Sequence, residues 1–320
     1  MVGKNERTGR WPARLHVVTG KGGTGKTTVA AALALGLAVG GRRTLLVEVE
    51  GRQGIAQLFG TQPLPYKELR IAEVPGGGEV RALAVDPEEA LLEYLDMFYK
   101  LGAAGRALRK IGAIDFATTI APGLRDVLLT GKVKESTTRA ADGRRVYDAV
   151  VLDAPPTGRI GRFLNVTAET ARLAKVGPIK TQSEGVASLL RSPITSVHVV
   201  TLLEEMPVQE TLDAIGELTA LSIPVGRIIV NGARPPLLPG GRVAKADLRR
   251  GLAEAGLPAD AAIIAGLQDE AKAHLTRREL EESLRAELAE RNYPIVELPF
   301  LDGGVDRAGL DRLAALLMSV

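Results

Sequence analysis

Cysteine is absent from all 320 residues. With it go disulfides, thiolate zinc sites, iron–sulfur clusters and a cysteine nucleophile. A large excess of one charge is also missing. Lysine and arginine number 41 against 38 acidic residues, a net +3, which demands neither nucleic acid nor anionic lipid as a partner. Long apolar runs are lacking too: the longest, Val29 to Val39, is about half of what a membrane span needs. The opening "MVGKNERTGRWPAR" holds no apolar leader core. Aromatic residues make up only 3% of the chain, and no function follows from that. These features predict a cytoplasmic protein, and the 45% hydrophobic content is ample for one large core.

Short β-branched runs recur, each followed by a stretch of helical character: "RLHVVT" (14–19), "TLLVEV" (44–49), "VRALAV" (80–85), "YDAVVLD" (147–153), "SVHVVTLL" (196–203), "RIIVN" (227–231) and "IVELP" (295–299). Several are apolar on both faces, as strands of a buried parallel sheet are. The alternation predicts a doubly wound, mostly parallel α/β domain over 14–320, with residues 1–13 as a flexible tail. The crossover between Val85 and Tyr147 is too long for a plain connection. It opens on "DPEE", where Asp86 can cap a helix, Pro87 fits its first position and Glu89 can close a capping box. A helical subdomain is therefore expected as an insertion at about 86–146 and 163–193. The charged stretch 269–292 reads as a solvated helix.

Between the first strand and an apolar helix lies "GKGGTGKTT" (20–28), which fits the phosphate-loop pattern in the context that pattern requires. Glycines at 20, 22, 23 and 25 let consecutive backbone N–H groups turn toward phosphate oxygens, and the helix that follows adds its positive end. Gly20, Gly22, Gly23, Thr24, Gly25, Lys26, Thr27 and Thr28 are the candidate nucleotide contacts. Lys26 is placed to bridge the terminal phosphates, and the Thr27 hydroxyl to meet Mg²⁺. Asp153 ends a strand beside this loop and is the candidate carboxylate for the Mg²⁺ shell, while Thr157 and Gly158 form a sensor turn near the γ-phosphate. Asn231 ends another strand in "RIIVNGAR". Gly232 and Arg234 stand where a guanine reader would carry lysine and aspartate, so adenine is favoured, and ATP is the expected nucleotide.

Lys21 is unexplained by its own loop, which already has Lys26, and a long cation there loses entropy unless it meets an anion. The whole run resembles the deviant phosphate loop of dimeric ATPases that include MinD, ParA and the nitrogenase iron protein. Over nearly the whole length the chain resembles the arsenite-pump and tail-anchored-protein-targeting ATPase family. The matching stretches are "GKGGTGKTT", "VDPEEALLEYL" (85–95), "APGLRDVL" (121–128), "LDAPPTGRIGRFL" (152–164), "LLEEMPVQETLDAIGEL" (202–218), "IIVNG" (228–232) and "ELPFLDGGVD" (297–306). That resemblance implies that Lys21 acts across a dimer interface on the partner's nucleotide, as an arginine finger does. It also implies that Glu204 and Asn231 contact the nucleotide and that Pro299 and Phe300 pack on adenine. Where relatives carry a water-orienting aspartate this chain has "EVEGRQGIAQLF" (48–59), and alignment puts Glu50 on it, one methylene longer, with Glu48 as the fallback.

Without cysteine, the resemblance cannot extend to an arsenite site or to a structural zinc at the dimer interface. What it implies is a Mg²⁺-dependent ATPase that works as a homodimer or as a heterodimer with a related subunit, with a tail-anchored membrane protein as the client class. Leu91, Leu95, Phe98, Ile111, Ile114, Phe116, Leu124, Leu128 and Leu129 would form a client groove only across a dimer, and an apolar stripe of that kind is more often core. Two other readings remain open: a MinD/ParA-like positioning ATPase, and a nucleotide-locked scaffold that does not hydrolyse.

Overall fold

The computed structural model describes residues 11–99, 122–166, 178–238 and 243–319. Its centre is an eight-stranded sheet. In chain order its strands are β1 (Leu15–Gly20), β2 (Arg43–Glu48), β3 (Leu69–Val74), β4 (Gly78–Ala84), then, past a separate small hairpin of β5 (Ala140–Ala141) and β6 (Arg144–Arg145), β7 (Ala149–Asp153), β8 (Thr195–Thr201), β9 (Val225–Ala233) and β10 (Ile295–Pro299). The spatial order is β10-β9-β8-β1-β7-β2-β4-β3. Every pairing is parallel except that of β3 with β4. This is the doubly wound, mostly parallel α/β architecture that the alternation of runs predicted, with the phosphate-loop motif between its first strand and helix. Parallel strands must be covered on both faces, because each crossover lays a helix on one of them.

One face is covered by α1 (Lys26–Ala38) and the C-terminal helix. From Val29 to Ala38 every residue of α1 is buried. A helix with no polar face is stable only when enclosed on all sides, and here the sheet and the C-terminal helix enclose it. The other face carries, in chain order after the short α2 (Gly54–Phe59), the helices α3 (Pro87–Tyr99), α4 (Pro122–Thr138), α5 (Thr157–Leu164), α6 (Pro178–Leu190) and α7 (Glu205–Ala220). Then come α8 (Lys245–Glu254), the 29-residue α9 (Ala261–Ala289) and α10 (Arg307–Ser319), the C-terminal helix. Asp86 caps α3 by accepting from the N–H groups of Glu88 and Glu89, both at 2.9 Å. No helix among the described residues is long and apolar enough to cross a membrane.

Three features differ from the sequence reading. The hairpin of β3 and β4 was not foreseen as a pair. Its signal is the run "PGGG" (75–78), a turn in which Gly76 and Gly77 take positive φ. Trp11, placed in the tail by the sequence, is buried: its indole N–H donates to Leu317 O at 2.9 Å, which ties it to α10. Finally, α3, α4 and α6 fall in the expected insertion intervals, but Leu91, Leu128 and Leu129 are buried in the same cluster as Val17, Val47 and Leu152 of the sheet. For these side chains the apolar stripe is core. Ile111, Ile114 and Phe116 lie outside the described residues, as does the side chain of Phe98.

Beneath the sheet, His16 Nδ1 and His198 Nε2 meet at 3.1 Å with their rings stacked, and Trp11 packs edge-on against both. The Arg227 guanidinium lies 4.6 Å over the indole. Burial lowers His16 to about 4. Burial also lowers His198, with the charges of His16 and Arg227 adding to the effect. Between pH 6.5 and 4 the unfolded chain therefore binds more protons than the folded one, and stability falls as pH falls. For His16 alone the loss is about 2 kcal/mol by pH 5. Urea midpoints at pH 7.5 and 5 should show this drop, and His16→Gln should reduce it.

Candidate functional site

The carboxyl ends of the parallel strands gather one set of polar residues around the loop that follows β1. Gly20 has φ 156° and lies against β8 so closely that a Cβ would sit 2.1 Å from Val200 O. Only glycine permits that approach. Gly23 and Gly25 take φ 90° and 87°, left-handed values that turn the loop's N–H groups inward and start α1 at Lys26. Thr24 is buried and braces the turn: its N–H and hydroxyl both donate to Lys21 O, at 3.3 and 2.9 Å. Thr28 is half-buried one position beyond Thr27 on α1.

At the mouth of the loop the Thr27 hydroxyl donates to Asp153 Oδ2 at 2.7 Å. The register of β1 with β7, which pairs Val18 with Asp153, brings the carboxylate there. Thr19 Oγ1, donating to Pro155 O at 2.7 Å, fixes the segment that follows. Asp153 is 8% exposed, and its Oδ1 is buried without a hydrogen-bond partner. Burial pushes its carboxyl up to about 6, against the Thr27 hydrogen bond and the Lys26 charge, with Glu48 and Glu50 adding to the rise. The Lys26 ammonium is lowered by burial, while Asp153 and Glu50 pull it back up.

These residues fit a magnesium–triphosphate. An unsatisfied carboxylate oxygen beside a hydroxyl, under a glycine cradle that a Cβ would fill, supplies the one carboxylate and one hydroxyl that Mg²⁺ takes from such sites, the phosphates and water completing its shell. No group of three or more His, Asp or Glu among the described residues is placed to hold a metal ion.

The two candidate carboxylates after β2 separate clearly. Glu48 is buried, and its oxygens accept from the N–H groups of Gln53 at 2.5 Å and Ile55 at 3.3 Å. It thereby anchors the start of α2, where Gln53 has φ 58°, and this leaves little for a water. Glu50 keeps looser company: Arg159 Nη1 at 3.5 Å and Arg52 Nε at 3.8 Å. It lines a cavity of about 210 Å³ with Arg52, Arg125, Asp126, Arg159 and Phe163. Of the two, Glu50 is the one with room for a water.

The base-side candidates are partly brought together. Asn231 Nδ2 donates to Thr24 O at 2.9 Å, so its amide braces the phosphate loop and leaves its Oδ1 and second N–H for a base. Phe300, 44% exposed, is stitched to β9 by its N–H to Ala233 O at 2.9 Å, and Arg234 lies 3.7 Å over its ring. Pro299, half-buried, ends β10 beside it. Glu204 is exposed at the start of α7 and makes no capping bond.

Lys21 has a partner that the sequence did not disclose. Its ammonium donates to Glu210 Oε1 on α7, and Glu210 Oε2 accepts from the Thr157 hydroxyl at 2.7 Å. Nothing local in "VQETL" marks that glutamate; the two partners are 189 residues apart.

Asp153 carries a stability test of its own. Its folded value lies above the ordinary carboxylate value of 3.8, so the ionised form is disfavoured in the folded chain. The folded state binds more protons, and that contribution, present below 3.8, is lost as pH rises through about 6. Asp153→Asn should therefore raise the melting temperature of the nucleotide-free protein at pH 7.5. The expected gain is on the order of 3 kcal/mol, or several degrees, roughly halving by pH 5. Differential scanning calorimetry at the two pH values checks it.

Residues 13–192 match the anion-transporting ATPase family. The chain is 56% identical over 321 residues to the ATPase BagA of Mycobacterium tuberculosis, covering 96% of this chain and 94% of that protein. It is 26% identical over 250 residues to the ATPase GET3 of Kluyveromyces lactis, covering 67% of this chain and 70% of that one. With the arsenical pump-driving ATPase of Escherichia coli it shares 27% over 239 residues, which is 68% of this chain and 39% of that protein.

Proposed function

Because the chain belongs to the anion-transporting ATPase family, we propose that it is a Mg²⁺-dependent ATPase. It closes around ATP as a homodimer, or as a heterodimer with a related subunit, and passes the state of the nucleotide to a client protein. The observation that carries the ATPase reading is the Thr27–Asp153 hydrogen bond under the glycine loop, with Asp153 Oδ1 left unpaired.

Mg²⁺, when bound, neutralises charge on the terminal phosphates. The chain's own residues then divide the work. The loop from Gly20 to Thr28 holds the phosphates through backbone N–H groups, and Lys26 adds a fixed positive charge. Glu50 accepts a hydrogen bond from the attacking water and sets its direction, helped by an adjacent cavity large enough to admit it. Asn231, Glu204, Pro299 and Phe300 hold the nucleoside end. Lys21 serves the nucleotide of the facing subunit.

The client is reached through α4. Arg125 and Asp126 of that helix line the same cavity as Glu50 and Arg159, which puts α4 beside the proposed water-orienting carboxylate. The family resemblance points to a tail-anchored membrane protein as the client class. Leu91, Leu128 and Leu129 are committed to the core, while Met97 on α3 is 61% exposed.

Lys21→Ala should bind ATP with near wild-type affinity and lose turnover by at least about 10³-fold. Mixed with a Lys26→Ala chain, it should recover part of that activity through hybrid dimers. Normal turnover by the single variant would exclude action across the interface. Separately, Glu50→Gln should slow single-turnover hydrolysis by about 10²-fold or more without weakening ATP binding, and Glu48→Gln should instead lower thermal stability. Rapid-quench kinetics on both variants distinguishes the two carboxylates.

A further inference from the structure

Glu210 belongs to neither the loop that holds phosphate nor the turn that senses it, yet its carboxylate joins the two. One oxygen takes the Lys21 ammonium and the other the Thr157 hydroxyl. The place of that carboxylate is set by the core. Val208, Thr211 and Leu212 on either side of it are buried, and the Glu217 carboxylate of α7 lies over Gly161 of α5. The backbone of α7 at Glu210 is thus held by the core, and the partly exposed side chain reaches Lys21 and Thr157 from that fixed point.

We propose that Glu210 is a positioning residue that keeps Lys21 within its own subunit until a second copy presents a triphosphate, and that the exchange frees one side of the Thr157 turn. The proposal rests on the reading that Lys21 acts across a dimer.

The physical case is one of competition. On the reading that Lys21 serves a facing subunit's nucleotide, the ammonium gives up Glu210 as the dimer closes, and closure breaks this ion pair. With both side chains 31% exposed, the pair is a surface one, weak enough to be surrendered. A polyphosphate brought up by the other subunit carries more negative charge than a single carboxylate and wins the lysine. Lys21 and Thr157 together hold the Glu210 carboxyl below its ordinary range, the sign expected of an anion gripped from two sides. Once Lys21 has gone, Glu210 holds only Thr157, at the first position of α5, whose third residue is the Arg159 that faces Glu50. Capture of Lys21 by the partner is thus linked through Thr157 and α5 to the water-orienting carboxylate.

Two measurements on Glu210→Gln test this. The first is acylation of Lys21 in nucleotide-free protein at a concentration where it is monomeric, read by mass spectrometry against the exposed Lys245. Loss of the ion pair should speed modification up to about fivefold, with Glu210→Asp between the two. The second is sedimentation with a non-hydrolysable ATP analogue. Two pairs break per dimer, so Glu210→Gln should tighten association by up to about 25-fold at unchanged melting temperature. Unchanged labelling and unchanged association, in a chain whose wild type does dimerise with the analogue, would overturn the role of Glu210 alone. Faster labelling with no dimer in either protein would overturn the dimer reading, and the exchange with it.

Discussion

A carboxylate kept out of water at the end of a parallel strand is the constraint on which this site is built. Asp153 is placed by the register of β7 with β1, and the burial that puts it beside Thr27 also makes its charge unfavourable. The protein repays only part of that: Thr27 satisfies one oxygen and the Lys26 charge helps, but the other oxygen has no hydrogen-bond partner. A group held at such cost suits the proposed site, where a cation and its phosphates would complete it. The glycine loop is the other half of the same argument. Its left-handed residues at 23 and 25, and the close approach at Gly20, keep an anion cradle open whether or not an anion is in it.

From this centre, charge spreads outward in a definite order. Lys26 lies within the field of both Asp153 and Glu50. Glu50 faces Arg159 of α5, and the cavity beside it reaches Arg125 and Asp126 of α4. Each step passes to a different element, and α4 shares its buried leucines with the sheet. Helices α3 and α4 are therefore packed into the same core as the strands that carry the candidate site.

How much of this was legible beforehand depended on whether a residue's role is local. The loop was, because spaced glycines dictate backbone geometry wherever they occur between strand and helix. Asp153 was, because the end of an apolar strand is a place as well as a position. The β3–β4 hairpin was missed because β3 is an edge strand with Leu69 and Arg70 exposed, so its alternation is blurred. The choice between Glu48 and Glu50 turned on α2, six residues with an unusual start at Gln53 that no propensity marks. Glu210 was out of reach, since a mid-helix glutamate carries no sign of a lysine 189 residues away. The same holds for His16 and His198, each unremarkable in its own strand and meaningful only as a pair.

The single chain thus holds Lys21 in a conformation that is useful for neither binding nor hydrolysis. An ammonium beside its own phosphate loop, attached to a helix instead of the phosphates, adds little to the affinity of that loop, which Lys26 already serves. It does, however, keep a long flexible cation ordered. A lysine tethered at a known point reaches a new anion with less loss of freedom than one that roams in solvent, and the tether is weak enough to break. The ion pair with Glu210 is accordingly compatible with the proposed role between subunits, since it keeps the ammonium ordered at the border of the loop without entering it.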